Sequence, residues 1–509
     1  MSRTPLKISE RPRNAGILLP LFSLPGPFGI GDMGPAARRW AEGLARSGQL
    51  YWQILPVGPP AEGNSPYSPQ SVFAGDPLLI SPESLIQEGL LSEADIRELP
   101  SFPAGRVDYP AVASFKDKLL RAAFKNFKEK APPSAFSEWR GFAARNREWL
   151  SDYALFRALK IERQDEPWSR WPVELRTRDF KRWDGDLKRV GEESSYQEFA
   201  QFVFDRQWRG FRADLEKLNV RLIGDLPFYP ALESADVWSR PGYFSVDGEG
   251  RPRSYGGVPP DYFSADGQHW GTPVYAWEAL RRDGYAWWRA RFERAAELFG
   301  SVRLDHFIGF TRYWEIPASA PTAACGAWRK GPGEDFFKTA AGGIQGLELI
   351  AENLGVVTPQ VEALRRKLGL PGMRVLILSL SARRPRLPRI PWNELVMTGT
   401  HDTPTLMEWL EGFPGREALR RAFLGGEPAV GDLRAVLLRE VYKTGARTAV
   451  VPLQDLLGLG GEARVNRPAA KGDNWAWRVS SEGLMAEALD RAGRLSRESG
   501  RFESAAFSA

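Results

Sequence analysis

Residues 300–310 read GSVRLDHFIGF: a short apolar run, SVRL, that ends on an acid, Asp305. The same form recurs along the chain. VRLIGDLPFY (220–229) reaches Asp225, LELIAENLG (347–355) reaches Glu352, and ELVMTGTHDT (394–403) reaches Asp402. YWQILPVGP (51–59), RVLILSLSA (374–382) and TAVVPLQDLLG (448–458) are further strand-like runs. Amphipathic segments lie between them. PAARRWAEGLARSG (35–48) sets Trp40, Leu44 and Ala45 on one stripe and stops at Gly48; DGYAWWRARFERAAELFG (283–300) and VEALRRKLGL (361–370) follow the same pattern. Apolar runs alternating with amphipathic helices predict parallel strands joined by crossover helices.

The acids give that alternation a functional meaning. In a (β/α)8 barrel the active site is built at the C-terminal ends of the strands. Acids placed after Asp225 at intervals of 80, 47 and 50 residues leave room for one or two barrel units of about 31 residues each, with insertions. One such acid is more often a helix cap or a surface ion pair; four, accompanied by His306 and His401, point to one cleft. Positions 303 and 305 share a face of a strand, so Arg303 is placed to touch Asp305 and keep it ionised. A cleft of carboxylates and aromatics suits glycosidic chemistry. There, one carboxylate attacks the anomeric carbon, and a second, its pKa raised, acts as acid and then base.

The remaining composition narrows the field. The 509 residues carry 69 Lys+Arg against 63 Asp+Glu, a net charge of +6, too small and too dispersed for a dedicated nucleic-acid binder. Hydrophobic residues at 43% and charged residues at 26% are ordinary for a globular chain. The 19 Trp could serve sugar stacking, though most are expected in the core. The three His are dispersed, against a zinc site, and FGIGDMG (28–34) is not a phosphate-binding loop. Composition leaves a Ser-His-Asp triad open, but no GxSxG motif is present. The basic loop SARRPRLPRIP (381–391) reads as a solvated connection. A single cysteine, Cys325, and the polar opening MSRTPLKISERPRN favour the cytoplasm, and no apolar run reaches membrane-spanning length. The expected organisation is one catalytic unit over 1–509. It includes a mostly helical insertion at about 85–220, an active-site loop region at about 240–275 and a frayed tail at about 490–509.

Several stretches together resemble the 4-α-glucanotransferases (amylomaltases or disproportionating enzymes) of glycoside hydrolase family 77. They are SLPGPFGIGDMG (23–34), YWQILPVGPP (51–60), NSPYSPQSVFAGDPLLI (64–80), GDLPFYPALESADVW (224–238), GVPPDYFSADGQHWGTPVY (257–275), RLDHFIGFTRYWEIP (303–317), AENLG (351–355), GTHD (399–402) and NWAWR (474–478). The resemblance implies a (β/α)8 barrel of the α-amylase clan with helical and loop insertions and no separate C-terminal β-domain. It implies Asp305 as nucleophile, Glu352 as general acid/base and Asp402 as transition-state stabiliser. Arg303, His306, His401 and Asp225 would line the same subsite, with Tyr67 as its stacking platform. Asp261, Tyr262, Phe263 and Trp270 would lie near donor or acceptor sugars. The implied reaction moves α-1,4-glucan segments between maltooligosaccharides by double displacement, with glucose as an acceptor and no metal or organic cofactor. A glucan hydrolase and a non-catalytic glucan-binding scaffold are the alternatives. The chain departs from the family pattern at Asn353 (usually Asp), at Thr403-Pro404 after GTHD, at Glu62 (commonly aromatic), in LLPLFSLPG (18–26), which lacks a His, and in RVNRPAA (464–470).

Overall fold

The computed structural model describes residues 12–502 apart from 184, 186, 261–265, 425–429, 469 and 471. Twelve strands occur among them: β1 Asn14–Leu18, β2 Tyr51–Gln53, β3 Arg221–Leu226, β4 Ser254–Val258, β5 Gln268–Pro273, β6 Ser301–Leu304, β7 Arg312–Pro317, β8 Ala327–Lys330, β9 Glu348–Ala351, β10 Gly372–Val375, β11 Glu394–Met397 and β12 Thr448–Pro452. Eight of them close a barrel in the order β1-β12-β11-β10-β9-β6-β3-β2. Every pair in it is parallel, and helices connect the strands, so the fold is a (β/α)8 barrel. Parallel strands are covered on both faces, and their burial shows it: β1, β6, β11 and β12 are buried at every position instead of at alternate ones.

Six barrel strands fall within the runs named from sequence, and β10 overlaps a seventh run only at Arg374 and Val375; β1 was not among them. RVLILSLSA is strand only at its first two residues. It pairs as far as Val375, and Leu376–Ser379 then makes one helical turn, with the Ser379 hydroxyl donating to the Val375 carbonyl at 2.7 Å.

Between β2 and β3 run the helices Tyr109–Lys130, Pro133–Arg145, Arg147–Glu162 and Leu187–Lys217. Asp108 caps the first, accepting from the Ala111 N–H at 3.2 Å, and Ala131-Pro132 ends it. The last of the four packs on the barrel: Trp208 donates to the Leu298 carbonyl at 2.9 Å, and Phe211 meets Trp52 edge-on. Its buried face joins the barrel core in one continuous cluster.

The region expected as an active-site loop, about 240–275, carries two strands. β4 and β5 join β7 and β8 in an antiparallel sheet of order β5-β4-β7-β8 above the barrel. A register shift lies between Tyr255 and Gly257, where a Cβ on Gly257 would stand 2.1 Å from the Gln268 carbonyl. Asp261, Tyr262 and Phe263 lie outside the described residues.

The expected frayed tail is corrected over its described part; residues 503–509 lie outside the described residues. Helix Glu482–Ser499 crosses the proposed boundary at 490, capped by Ser481 at its start and by Gly500, at φ 68°, at its end. Met485, Ala488, Ala492 and Leu495 bury one face of it. Arg501 is buried and donates to the carbonyls of Tyr442, Asn14, Thr444 and Ala446 at 2.6–3.0 Å. A polar composition concealed an amphipathic stripe. No described helix is long and apolar enough to cross a membrane.

Candidate active site

The acid-bearing strand ends meet at one mouth of the barrel. Asp225 and Arg303 face each other across the β3–β6 pair, and Leu304 faces Ala351 across β6–β9. Past the strand ends the ladder continues irregularly: the Asp305 N–H donates to the Leu226 carbonyl at 3.2 Å and the Glu352 N–H to the Leu304 carbonyl at 3.1 Å. Three residues named from sequence are thereby brought beside one another.

Arg303 is the hub. Its Nη1 donates to both oxygens of Asp225 at 2.9 Å and to Asp305 Oδ1 at 3.0 Å. The other Asp305 oxygen, Oδ2, accepts from the Phe228 N–H at 3.4 Å. Tyr67 donates its hydroxyl to Asp225 Oδ2 at 2.7 Å. Burial alone would lower the Arg303 pKa, but Asp225, Tyr67, Asp305 and Glu352 around it raise it well above the ordinary value, so it stays a cation. Burial raises the Asp225 carboxyl to about 6; Arg303 opposes this and the Asp305 charge adds to it.

Glu352 and Asp402 are driven apart. Burial, with the charges of Asp305 and Asp402, lifts Glu352 to about 8 against the pull of Arg303 and a hydrogen bond from the His306 backbone. Burial would raise Asp402 too, but His401, the Asn466 amide and Arg303 outweigh it and bring that carboxyl down to about 2. The geometry agrees: Asn466 Nδ2 donates to Asp402 Oδ1 at 2.6 Å, and His401 Nε2 stands 3.0 Å from Oδ2. The two carboxyls are thus biased in opposite directions, Glu352 toward the protonated form and Asp402 toward the carboxylate.

The aromatic residues frame these groups. Tyr67 stacks on His401, with centroids 5.0 Å apart and planes 14° from parallel. His306 has a left-handed backbone, φ 48°, and its ring lies edge-on to Phe228 and Trp270, at 5.5 and 4.9 Å. Burial holds that ring neutral by lowering its pKa to about 4.

Two positions at which the chain departs from the family pattern turn away from the carboxylates. Asn353 ties β9 to its surroundings, donating to Glu362 Oε1 at 2.5 Å and accepting from the Met373 N–H at 2.8 Å. Thr403 closes a tight turn, accepting from the Thr400 N–H at 2.9 Å and donating to the Thr400 carbonyl at 3.1 Å.

Sequence reasoning missed three contributors. Asn466 holds Asp402, and its N–H also donates to the His401 carbonyl at 3.1 Å. Arg464 donates to the Asp402 carbonyl at 3.2 Å. Trp475, buried with a left-handed φ of 64°, packs against both Tyr67 and His401. All three lie after β12. The RVNRP segment was the available signal for the first two. Among the described residues no cluster of His, Cys, Asp and Glu has a metal-binding arrangement.

Comparisons with known proteins place the chain in a family. The family profile described as 4-alpha-glucanotransferase, glycoside hydrolase family 77, matches residues 19–484. A 4-alpha-glucanotransferase of Thermus thermophilus is 44% identical over 481 residues, covering 92% of this chain and 95% of its own. One of Aquifex aeolicus is 40% identical, covering 92% and 96%. The structure of an amylomaltase from Streptococcus agalactiae in complex with acarbose superposes with a TM-score of 0.91 at 30% identity, covering 96% of this chain and all of that one. A closed parallel barrel, a mouth of opposed carboxylates and matches along nearly the whole chain lead to one assignment: this protein belongs to the 4-α-glucanotransferase family, and it is an enzyme of that type.

Proposed function

We propose that Asp305 is the nucleophile of a retaining double displacement, with Glu352 as acid/base and Asp402 as stabiliser of the developing positive charge. The substrates would be α-1,4-linked maltooligosaccharides, with glucose as the smallest acceptor. An Asp305 oxygen attacks the anomeric carbon, and the bond from that carbon to the glycosidic oxygen breaks. Glu352 gives its proton to the departing 4-oxygen. The 4-hydroxyl of a second glucan then returns a proton to Glu352, forms the new bond, and releases the Asp305 carboxylate. The observation that carries this reading is the Asp305 carboxylate held by Arg303 at 3.0 Å, with the Glu352 strand end paired beside it and Asp402 held by Asn466; the opposite pKa shifts of Glu352, to about 8, and Asp402, to about 2, accord with it.

Tyr67, Asp225, Arg303, His306, His401 and Trp270 are proposed to line the donor site. Asp225, Arg303 and His401 are nearly inaccessible in their own right, so they would act by orienting neighbours or through a single exposed atom. Asp261, Tyr262 and Phe263 are proposed to approach bound sugar from the segment between β4 and β5. Maltotriose incubation tests the reading. Transfer produces glucose together with a ladder of longer oligosaccharides while the number of reducing ends stays constant; hydrolysis would raise that number. Asp305→Asn should abolish the ladder, and undiminished turnover in that variant would overturn the nucleophile assignment.

A further inference from the structure

Arg291, on helix Ala286–Leu298, lies outside every role assigned above. It is 1% exposed, and a cation buried that deeply is costly unless something holds it. Its partners carry no formal charge. Nη2 donates to the Pro227 carbonyl at 2.5 Å; Nη1 donates to the Phe228 carbonyl at 3.3 Å and to the Tyr275 hydroxyl at 3.0 Å. The Tyr275 hydroxyl in turn donates to the same Phe228 carbonyl. The guanidinium sits over the Trp288 ring, 4.0 Å from its centroid.

The Pro227 carbonyl and the Phe228 N–H belong to one planar peptide unit, and in a trans peptide they point in opposite directions. One end of the unit meets Arg291; the other meets Asp305 Oδ2. Withdrawal of electron density at the carbonyl makes the N–H a stronger donor. The same stretch supplies the Leu226 carbonyl that receives the Asp305 N–H. The backbone of 226–228 therefore wraps the acid, and Arg291 clamps that wrapping from behind.

Resting on the nucleophile reading of Asp305, we propose that Arg291 is a positioning residue. Through the Pro227–Phe228 peptide it holds Oδ2 of the nucleophile, while Arg303 holds Oδ1. With both oxygens fixed, the attack direction is set before substrate arrives.

The test compares Arg291→Lys, Arg291→Gln and Tyr275→Phe with Asp305→Asn. Each is assayed with maltotriose and with α-maltosyl fluoride, whose leaving group needs no proton. A misaligned nucleophile slows formation of the glycosyl-enzyme for both donors alike. We expect kcat to fall between about tenfold and about a hundredfold in Arg291→Gln on either donor, with KM changing less than about threefold. Arg291→Lys should recover part of the loss, since one ammonium can reach the Pro227 carbonyl. Tyr275→Phe should lose about threefold, because Arg291 keeps its carbonyls. Tyr275→Phe removes a single oxygen, so it keeps the test decisive if Arg291→Gln fails to fold. Wild-type kcat with only a lowered melting temperature would overturn the proposal, as would a defect confined to maltotriose, which would place Arg291 behind the acid instead. An inactive Asp305→Asn beside undiminished Arg291 variants refutes this inference alone, whereas an active Asp305→Asn refutes the nucleophile reading and this inference with it.

Discussion

The β9 strand end, with Glu352, and the β11 loop, with Asp402, present the same functional group in different surroundings. The Asp402 carboxylate accepts from the Asn466 amide at 2.6 Å and has the His401 ring 3.0 Å from its other oxygen. Glu352 has a backbone hydrogen bond and more distant help from Arg303, beside two like charges. Burial pushes both upward; His401, Asn466 and Arg303 reverse the push at Asp402 only. Ionisation here is decided by which groups surround the carboxylate.

The comparison is most sharply tested by the acid. Glu352→Gln should lower kcat on maltotriose by about 10² to 10⁴, while a fluoride donor still forms the glycosyl-enzyme. Asp402→Asn should cost about 10² to 10³ on both donors, because its charge serves the transition state whatever the leaving group. If the fluoride rescued both variants, the division of labour between the two acids would be wrong. Third, kcat/KM should fall by about tenfold per pH unit above the Glu352 pKa of about 8. Glu352→Gln should lack that alkaline limb, as a pH–rate profile would reveal.

Asn466→Ala removes a donor from Asp402. We expect a loss of about fivefold in kcat and an acid limb moved to higher pH, as the carboxyl rises from about 2. The smallest effect is on stability. Glu352 ionises near its ordinary value when unfolded and at about 8 when folded. It is therefore neutral on stability below its unfolded pKa and increasingly destabilising as pH rises toward 8. Asp402 is the mirror case: its contribution is complete above its unfolded pKa and is lost as pH falls through about 2. Glu352→Gln should raise the melting temperature at pH 8 by about 2 °C and leave it unchanged at pH 4; Asp402→Asn should lower it at pH 7. Differential scanning fluorimetry across pH reads both.

Much of this was legible in the chain. Apolar runs that end on acids carry fold and site together, because a parallel barrel places every strand's C-terminal end at one mouth. Less was legible where the signal is short or carried by the backbone. β1 spans five residues beside the charged opening segment and offers no acid to mark it. Strand and helix compete in RVLILSLSA, where an apolar run without periodicity suits either. The Phe228 N–H that meets Asp305 has no sequence signature at all, since every residue but proline carries one. Asn466 and Trp475 lie more than sixty residues beyond the acids or rings they support, on segments without strand character. In the tail, a polar average hid the buried stripe of helix Glu482–Ser499.

Arg501 and the Asn14 carbonyl it binds are 487 positions apart. A chain leaving the ribosome N-terminus first exposes β1 hundreds of residues before its neighbour β12 and the Arg501 latch that seals the seam. Until β12 follows, the first strand has an open edge, and the growing polypeptide is most in need of protection from self-association in that interval.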